Sequence, residues 1–183
     1  VCTSINEEVV HGIPSENRVL EDEDIISLDI GAVYKGFNGD AARTFAVGEV
    51  DDKTAKLIEV TRESFYKGIK KAVPGNRLTD ISHSIQKYVE QNNFSVVREY
   101  VGHGIGTSMH EDPQIPNFGP PGRGPALKPG MTLAIEPMVN TGGFEVETLD
   151  DGWTVVTKDR SLSSHYENTI AITEDEPLIL SKI

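Results

Sequence analysis

Cysteine is almost absent from this sequence: Cys2 is the only one in 183 residues. One thiol cannot close an internal disulfide, which sets aside the stapled secreted scaffolds and fits a reducing compartment. Long apolar runs are missing too. No stretch approaches the roughly 20 residues of a membrane-spanning helix, and no leader pattern opens the chain, so a cytoplasmic protein without a membrane partner is expected. Positive charge is scarce: 17 Lys and Arg face 29 Asp and Glu, a net charge of −12. Nucleic-acid recognition through a basic face is therefore not expected. Aromatic residues make up only 7%, with one tryptophan, Trp153. The chain also opens without methionine, at Val1, inside a run that already looks extended. A natural N-terminal portion is expected to precede it.

What remains is ordinary for a globular protein, with 37% hydrophobic and 25% charged residues. The length suits a single domain with a substantial core. The most unusual stretch is Val101 to Pro116, with glycines at 102, 104 and 106 around His103 and a second histidine at 110. A strand-like run from Phe94 to Val101 leads into it. Glycines there let the backbone turn tightly and let another group approach closely, so the segment is read as a loop presenting His103 as a metal ligand. The same glycines resemble a phosphate-binding turn, but the residues after Gly106 are a poor helix start with Pro113 close behind, which disfavours that reading.

Four carboxylates lie in improbable places. Ile25 to Tyr34 reads as a strand with Asp29 inside an apolar run, where an unpaired charge is costly. The chain turns near Lys35-Gly36 and returns through Asp40, a hairpin signal. In that register Asp29 faces Ala42 and Asp40 faces Gly31, making the two carboxylates diagonal neighbours roughly 7–8 Å apart. Met131 to Val139 reads as one strand containing Glu136 before Pro137. Ser164 to Ile172 reads as another containing Glu167.

Between these strands the period becomes helical. Leu57, Ile58, Thr61, Phe65, Ile69 and Ala72 mark one face of a helix capped by Asp51 or Asp52. A second helix, capped by Thr79, buries Ile81, Ile85, Tyr88 and Val89 and keeps His83 on its outer face. Both are read as cover for a sheet. A Pro/Gly-rich connector from Pro113 to Pro129 is anchored by Ile115, Phe118 and Leu127, and a second hairpin around Asp150-Asp151-Gly152 carries Trp153.

Asp29, Asp40, His103, Glu136 and Glu167 contribute a formal charge of about −4, which two divalent cations neutralise; without them some carboxylates must protonate. Oxygen-rich ligation with one nitrogen suits Mn, Fe, Co or Zn.

These residues stand in motifs that resemble the type I methionine aminopeptidases of the pita-bread metallopeptidase family. The motifs are Cys2 to Glu7 leading to His11-Gly12-Ile13-Pro14, Leu28-Asp29-Ile30-Gly31, Asn38-Gly39-Asp40, Gly102 to Gly106 leading to His110-Glu111, Ile135-Glu136-Pro137-Met138, and Asp151 to Thr154 leading to Tyr166-Glu167. The resemblance implies an α+β fold, a curved antiparallel sheet covered by helices in pseudo-two-fold halves. It implies a bridging water or hydroxide that removes initiator methionine from nascent chains whose second residue is small. Asp40 and Glu167 would bridge two metals, Asp29 completing one site and His103 with Glu136 the other. Glu136 would take the proton of the nucleophile, His110 would donate to the scissile carbonyl or its oxyanion, and His11 would sit near the scissile nitrogen or stabilise the same intermediate. Trp153 and Met109 would wall the methionine pocket, Met109 standing where relatives often carry an aromatic. His165 and Asn168 replace the usual glutamine and histidine. The expected partners are nascent peptides near the ribosome, met by a monomer. An X-Pro aminopeptidase and a non-catalytic binding module are the alternatives.

Overall fold

The computed structural model describes residues 1–182. Sixteen elements follow in chain order: β1 (Cys2–Ile5), β2 (Glu8–Val10), β3 (Ile25–Tyr34), β4 (Phe37–Ala46), α1 (Asp52–Ile69), α2 (Leu78–Gln91), β5 (Ser95–Val96) and β6 (Gly102–Gly104), then β7 (Glu111–Ile115), β8 (Thr132–Ile135), β9 (Met138–Asn140), β10 (Val146–Thr148), β11 (Val155–Thr157), β12 (Ser163–His165), β13 (Glu167–Ala171) and β14 (Leu178–Ile179). The main sheet has eight strands in the order β1-β3-β4-β13-β8-β6-β7, with β14 added against β13. Two three-stranded sheets, β10-β11-β2 and β12-β9-β5, complete an α+β arrangement.

The hairpin of β3 and β4 has the expected register, Asp29 opposite Ala42 and Gly31 opposite Asp40. Its two-residue turn places Lys35 at φ 50° and Gly36 at φ 84°. Both residues are in the left-handed region, the geometry that matches the twist of paired strands.

Helix α1 starts where Asp51 accepts a hydrogen bond from the Thr54 amide at 2.6 Å, a carboxylate on an otherwise unpaired donor. Its buried stripe includes Leu57, Val60, Phe65 and Ile69. Thr79 does not cap α2. The helix begins two residues earlier, with Arg77 at the cap and the Asp80 carboxylate accepting from the Arg77 amide at 2.7 Å. The Thr79 hydroxyl instead bonds the backbone of Arg123, fastening the connector to the helix. That connector also half-covers His83, whose Nδ1 lies 3.2 Å from the Gly119 carbonyl, rather than leaving it on an open face.

Three long strands of the expectation are interrupted. Met131–Val139 divides into β8 and β9, and Ser164–Ile172 into β12 and β13, each pair serving two different sheets. Pro137 has no amide to donate to a ladder, so the backbone steps aside at Glu136-Pro137. The neighbouring strand steps with it at Tyr166, whose amide bonds the Pro137 carbonyl. The run from Phe94 to Val101 is a strand only over Ser95–Val96.

One core joins helices to sheet, with Leu57, Phe65, Ile81, Ile85 and Val89 meeting Leu133, Ile135 and Ile170, all buried. Ile115 and Leu127 enter it from the connector and Phe118 packs at its edge. A smaller cluster of Val9, Val10, Val97, Met138 and Val155 lies beneath His11.

Candidate metal centre

Five adjacent strands of the main sheet, β3-β4-β13-β8-β6, carry the five acidic and imidazole side chains in turn. Asp29 is on β3, Asp40 on β4, Glu167 opens β13, Glu136 directly follows β8, and His103 is the middle residue of β6. The registers that align them are Glu167 opposite Ala42, Asn168 opposite Ile135, and His103 opposite Ala134. Ligand atoms of Asp40, His103 and Glu167 all lie within 4.8 Å of one another. The Glu136 Oε1 is 3.5 Å from His103 Nε2. All five face one cavity of about 150 Å³.

His103 is on a strand and not in a loop. The reason is the packing of its glycines: a Cβ at Gly102 would collide with the Ala134 carbonyl, and one at Gly104 with the Asp112 carbonyl. The glycines therefore admit neighbouring backbones on both sides; none of the three has a positive φ. Pro113, read as a breaker, is accommodated in β7 because β7 is the edge of the sheet.

Supporting contacts orient the groups. His103 Nδ1–H donates to the Gly104 carbonyl at 2.8 Å, which turns Nε2 and its lone pair toward Glu136. The Asp40 amide donates to Thr169 Oγ1 at 2.8 Å, and the same hydroxyl donates back to the Asp40 carbonyl at 3.1 Å. Asn117 holds the Glu136 carbonyl at 3.0 Å. Arg43 donates to the Glu167 carbonyl and lies over the Tyr166 ring, 4.1 Å from its centre. Neither Asn117 nor Arg43 is signalled by the sequence, because both act through backbone carbonyls that only the folded chain brings near.

The electrostatics are those of crowded, buried acids, relieved only in part by Arg43 beside Glu167. Burial, then the charge of Asp40, raises the Asp29 carboxyl to about 7. Burial and the neighbouring carboxylates also hold Glu136 and Glu167 well above the usual range. Glu167 is 2% exposed and its Oε1 has no hydrogen-bond partner. Burial lowers the His103 imidazole, favouring its neutral, ligating form. A divalent cation would satisfy the orphaned oxygen and the gathered charge together, so this donor set fits one.

Of the remaining expected residues, His11 and His110 line the cavity, and Trp153 and Met109 lie outside its lining. The His110 ring lies 4.3 Å from that of His103, centre to centre, and is exposed at the rim. His11, held at φ 63°, stacks on Trp153 at 5.0 Å and meets the Tyr100 ring edge-on at 5.8 Å. Trp153 is 55% exposed and lies against His11, outside the core. Met109 rests its methyl over Gly31, beside Asp40. His165 lines the same cavity, and burial, then the charges of His11 and Arg43, pushes its imidazole down to about 3. Tyr100 also lines the cavity, although the sequence pattern places it in a strand.

Comparison with known proteins agrees with this arrangement. Residues 1–174 match metallopeptidase family M24. The methionine aminopeptidase of Clostridium acetobutylicum is 65% identical over 181 residues, 99% of this chain and 72% of that protein. Methionine aminopeptidase 1 of Bacillus subtilis is 61% identical over 183 residues, all of this chain and 73% of that protein. The crystal structure of the Thermotoga maritima methionine aminopeptidase superposes with a TM-score of 0.98 at 55% identity, covering 100% of this chain and 73% of that one. A Pyrococcus horikoshii prolidase, 23% identical with a TM-score of 0.78, shares the pita-bread fold alone. The chain belongs to metallopeptidase family M24, among its methionine aminopeptidases.

Proposed function

We propose that the five side chains Asp29, Asp40, His103, Glu136 and Glu167 hold two divalent cations and that the surrounding histidines carry the hydrolysis of an N-terminal methionyl peptide bond. The observation that supports this most is the succession of five ligand-bearing strands around one small cavity, with a buried, unpartnered Glu167 oxygen. Four carboxylates and one neutral imidazole balance two divalent charges. The donor set suits Mn, Fe, Co or Zn without selecting one. When bound, the cations supply Lewis acidity toward the carbonyl and bring the acidity of a water to about neutral pH.

The protein's own groups do the rest. Glu136, 3.5 Å from His103 and held up in pKa by burial, accepts the proton of the attacking water. His110, exposed at the rim, donates to the carbonyl oxygen as charge develops there. His11, fixed between Trp153 and Tyr100, lies beside the scissile nitrogen. Trp153, stacked on the cavity-lining His11, and Met109, beside Asp40, are the side chains an apolar methionine side chain would pack against, and a small second residue leaves the rim uncrowded. The substrates are nascent peptides near the ribosome, met in the cytoplasm by a monomer. Among the described residues no helix is long and apolar enough to cross a membrane.

Release of free methionine from a Met-Ala-Ser peptide tests the reading, run with added Mn or Co and again with a chelator. Metal-dependent release is expected. Cleavage of X-Pro peptides in its place would redirect the substrate assignment, and release unaffected by chelation would remove the metals from it.

A further inference from the structure

One buried nitrogen at the centre is unused by the chemistry above. His165 is 1% exposed, precedes Glu167 by two residues and lines the same cavity. Its backbone is clamped on β12: its amide donates to Thr44 Oγ1 at 2.9 Å, and that hydroxyl donates to its carbonyl at 3.0 Å. The ring cannot wander far from such an anchor. Its Nε2 has no hydrogen-bond partner and stands 4.0 Å from Glu167 Oε2. A buried, unpartnered nitrogen thus faces a carboxylate oxygen of a buried residue just beyond bonding distance, and such a nitrogen is costly to leave unpaired. A closure of about 1 Å makes a hydrogen bond of normal length.

Glu167 has need of such a partner. Arg43 pins its backbone carbonyl, and Arg43 with Ser181 pins the side chain of Asn168 that follows. The Glu167 carboxylate itself receives no hydrogen bond from any described residue. We propose that His165 is a positioning residue for Glu167: its Nε2–H donates to Oε2 and so aims Oε1 at the cation site. This rests on the metal-centre reading. Outer-sphere donors of this kind change metal affinity by about 10–100-fold, because they fix the orientation of the ligand before the metal arrives.

The tautomer and the affinity test it separately. In the full chain labelled with ¹⁵N-histidine and loaded with Zn, His165 is expected as the Nε2–H form with a proton protected from exchange, its signal assigned by loss in His165→Gln. An Nδ1–H ring, or Nε2 bound to the metal itself, overturns the proposal. For the second arm, Co dissociation constants are measured by chelator competition on wild type, His165→Leu and His165→Gln, with the melting temperature of each metal-free protein alongside. His165→Leu should bind Co about 10–100-fold more weakly and shift the visible Co spectrum, and His165→Gln, which retains an N–H donor, should recover most of the loss. Unchanged affinity and spectrum in a folded Leu variant overturn the proposal; if that variant does not fold, the wild-type tautomer decides. A wild-type chain that binds neither Zn nor Co overturns the metal-centre reading, and the positioning role with it.

Discussion

The main sheet is two different environments joined at β4 and β13. On one side, β13, β8 and β6 are almost entirely buried, with Leu133, Ile135 and Ile170 packed under the helices. On the other, the outer half of the β3–β4 hairpin is open: Ile30, Tyr34 and Phe37 are 46–73% exposed. Both sides contribute ligands. Glu167, Glu136 and His103 are held by packing and by hydrogen bonds to their backbones or rings, whereas Asp29 is positioned by hairpin register and Asp40 by that register together with the Thr169 hydroxyl. A ligand site can thus be built half on a core and half on a ladder, provided the turn leaves only one register. Here the paired left-handed residues Lys35 and Gly36 do so.

The comparison can be broken at the ligands first. Asp40→Ala from the hairpin and Glu167→Ala from the packed side should each reduce methionine release by well over the roughly 100-fold expected of a lost outer-sphere contact. Steady-state rates at saturating metal would check this; if only one side matters, the two halves do not form one site.

Stability should separate the halves more sharply. Phe65→Ala or Leu133→Ala leaves a cavity in the shared core and should cost about 2–5 kcal/mol. Tyr34→Ala or Phe37→Ala on the open face should stay within about 0.5 kcal/mol. Denaturant midpoints measured on the four variants give the contrast. Equal losses would mean that the open face is not open in solution.

Removing metal should add a pH dependence of known sign. Asp29 titrates near 7 in the fold against an ordinary 3.8, and Glu136 and Glu167 are raised as well. Between those limits the folded metal-free chain binds more protons than the unfolded one, so its stability falls as pH rises from about 4 to about 7. His165 works oppositely: held near 3 against 6.5, it makes stability fall as pH drops through that interval. His103 and His11, also lowered by burial, act in the same direction as His165, so the three raised acids set a fall with rising pH that these imidazoles reduce. Divalent metal, which needs the deprotonated ligands, should raise the melting temperature more at the top of the window than at the bottom. Thermal melts with and without chelator across the range measure it.

The smallest effect concerns the helices behind the packed side. Asp51→Ala removes the carboxylate that caps α1 and should cost about 1 kcal/mol. The same measurement on Thr79→Ala reports the fastening of the connector to α2, since that hydroxyl bonds Arg123 and caps nothing.

Period, turn chemistry and misplaced charge determined much of this protein from the sequence alone. The hairpin register followed from Lys35-Gly36, because only one pairing places a two-residue turn there. Asp29 stood out because a carboxylate in an apolar strand is costly unless something binds it. His103, Glu136 and Glu167 were legible for the same reason, strengthened by the resemblance their motifs carry. The tertiary structure decided what local pattern does not contain. It made His103 a strand residue, because its glycines answer to carbonyls of β7 and β8 and not to a turn. It divided two apparent strands at Pro137 and Tyr166, because a missing amide in one chain forces its neighbour to step too. It brought Asn117 and Arg43 to the backbones of Glu136 and Glu167, and left His165 facing a carboxylate. The first two contacts join residues 19 and 124 positions apart, and the Thr44 anchor that holds His165 spans 121, distances over which no sequence period extends.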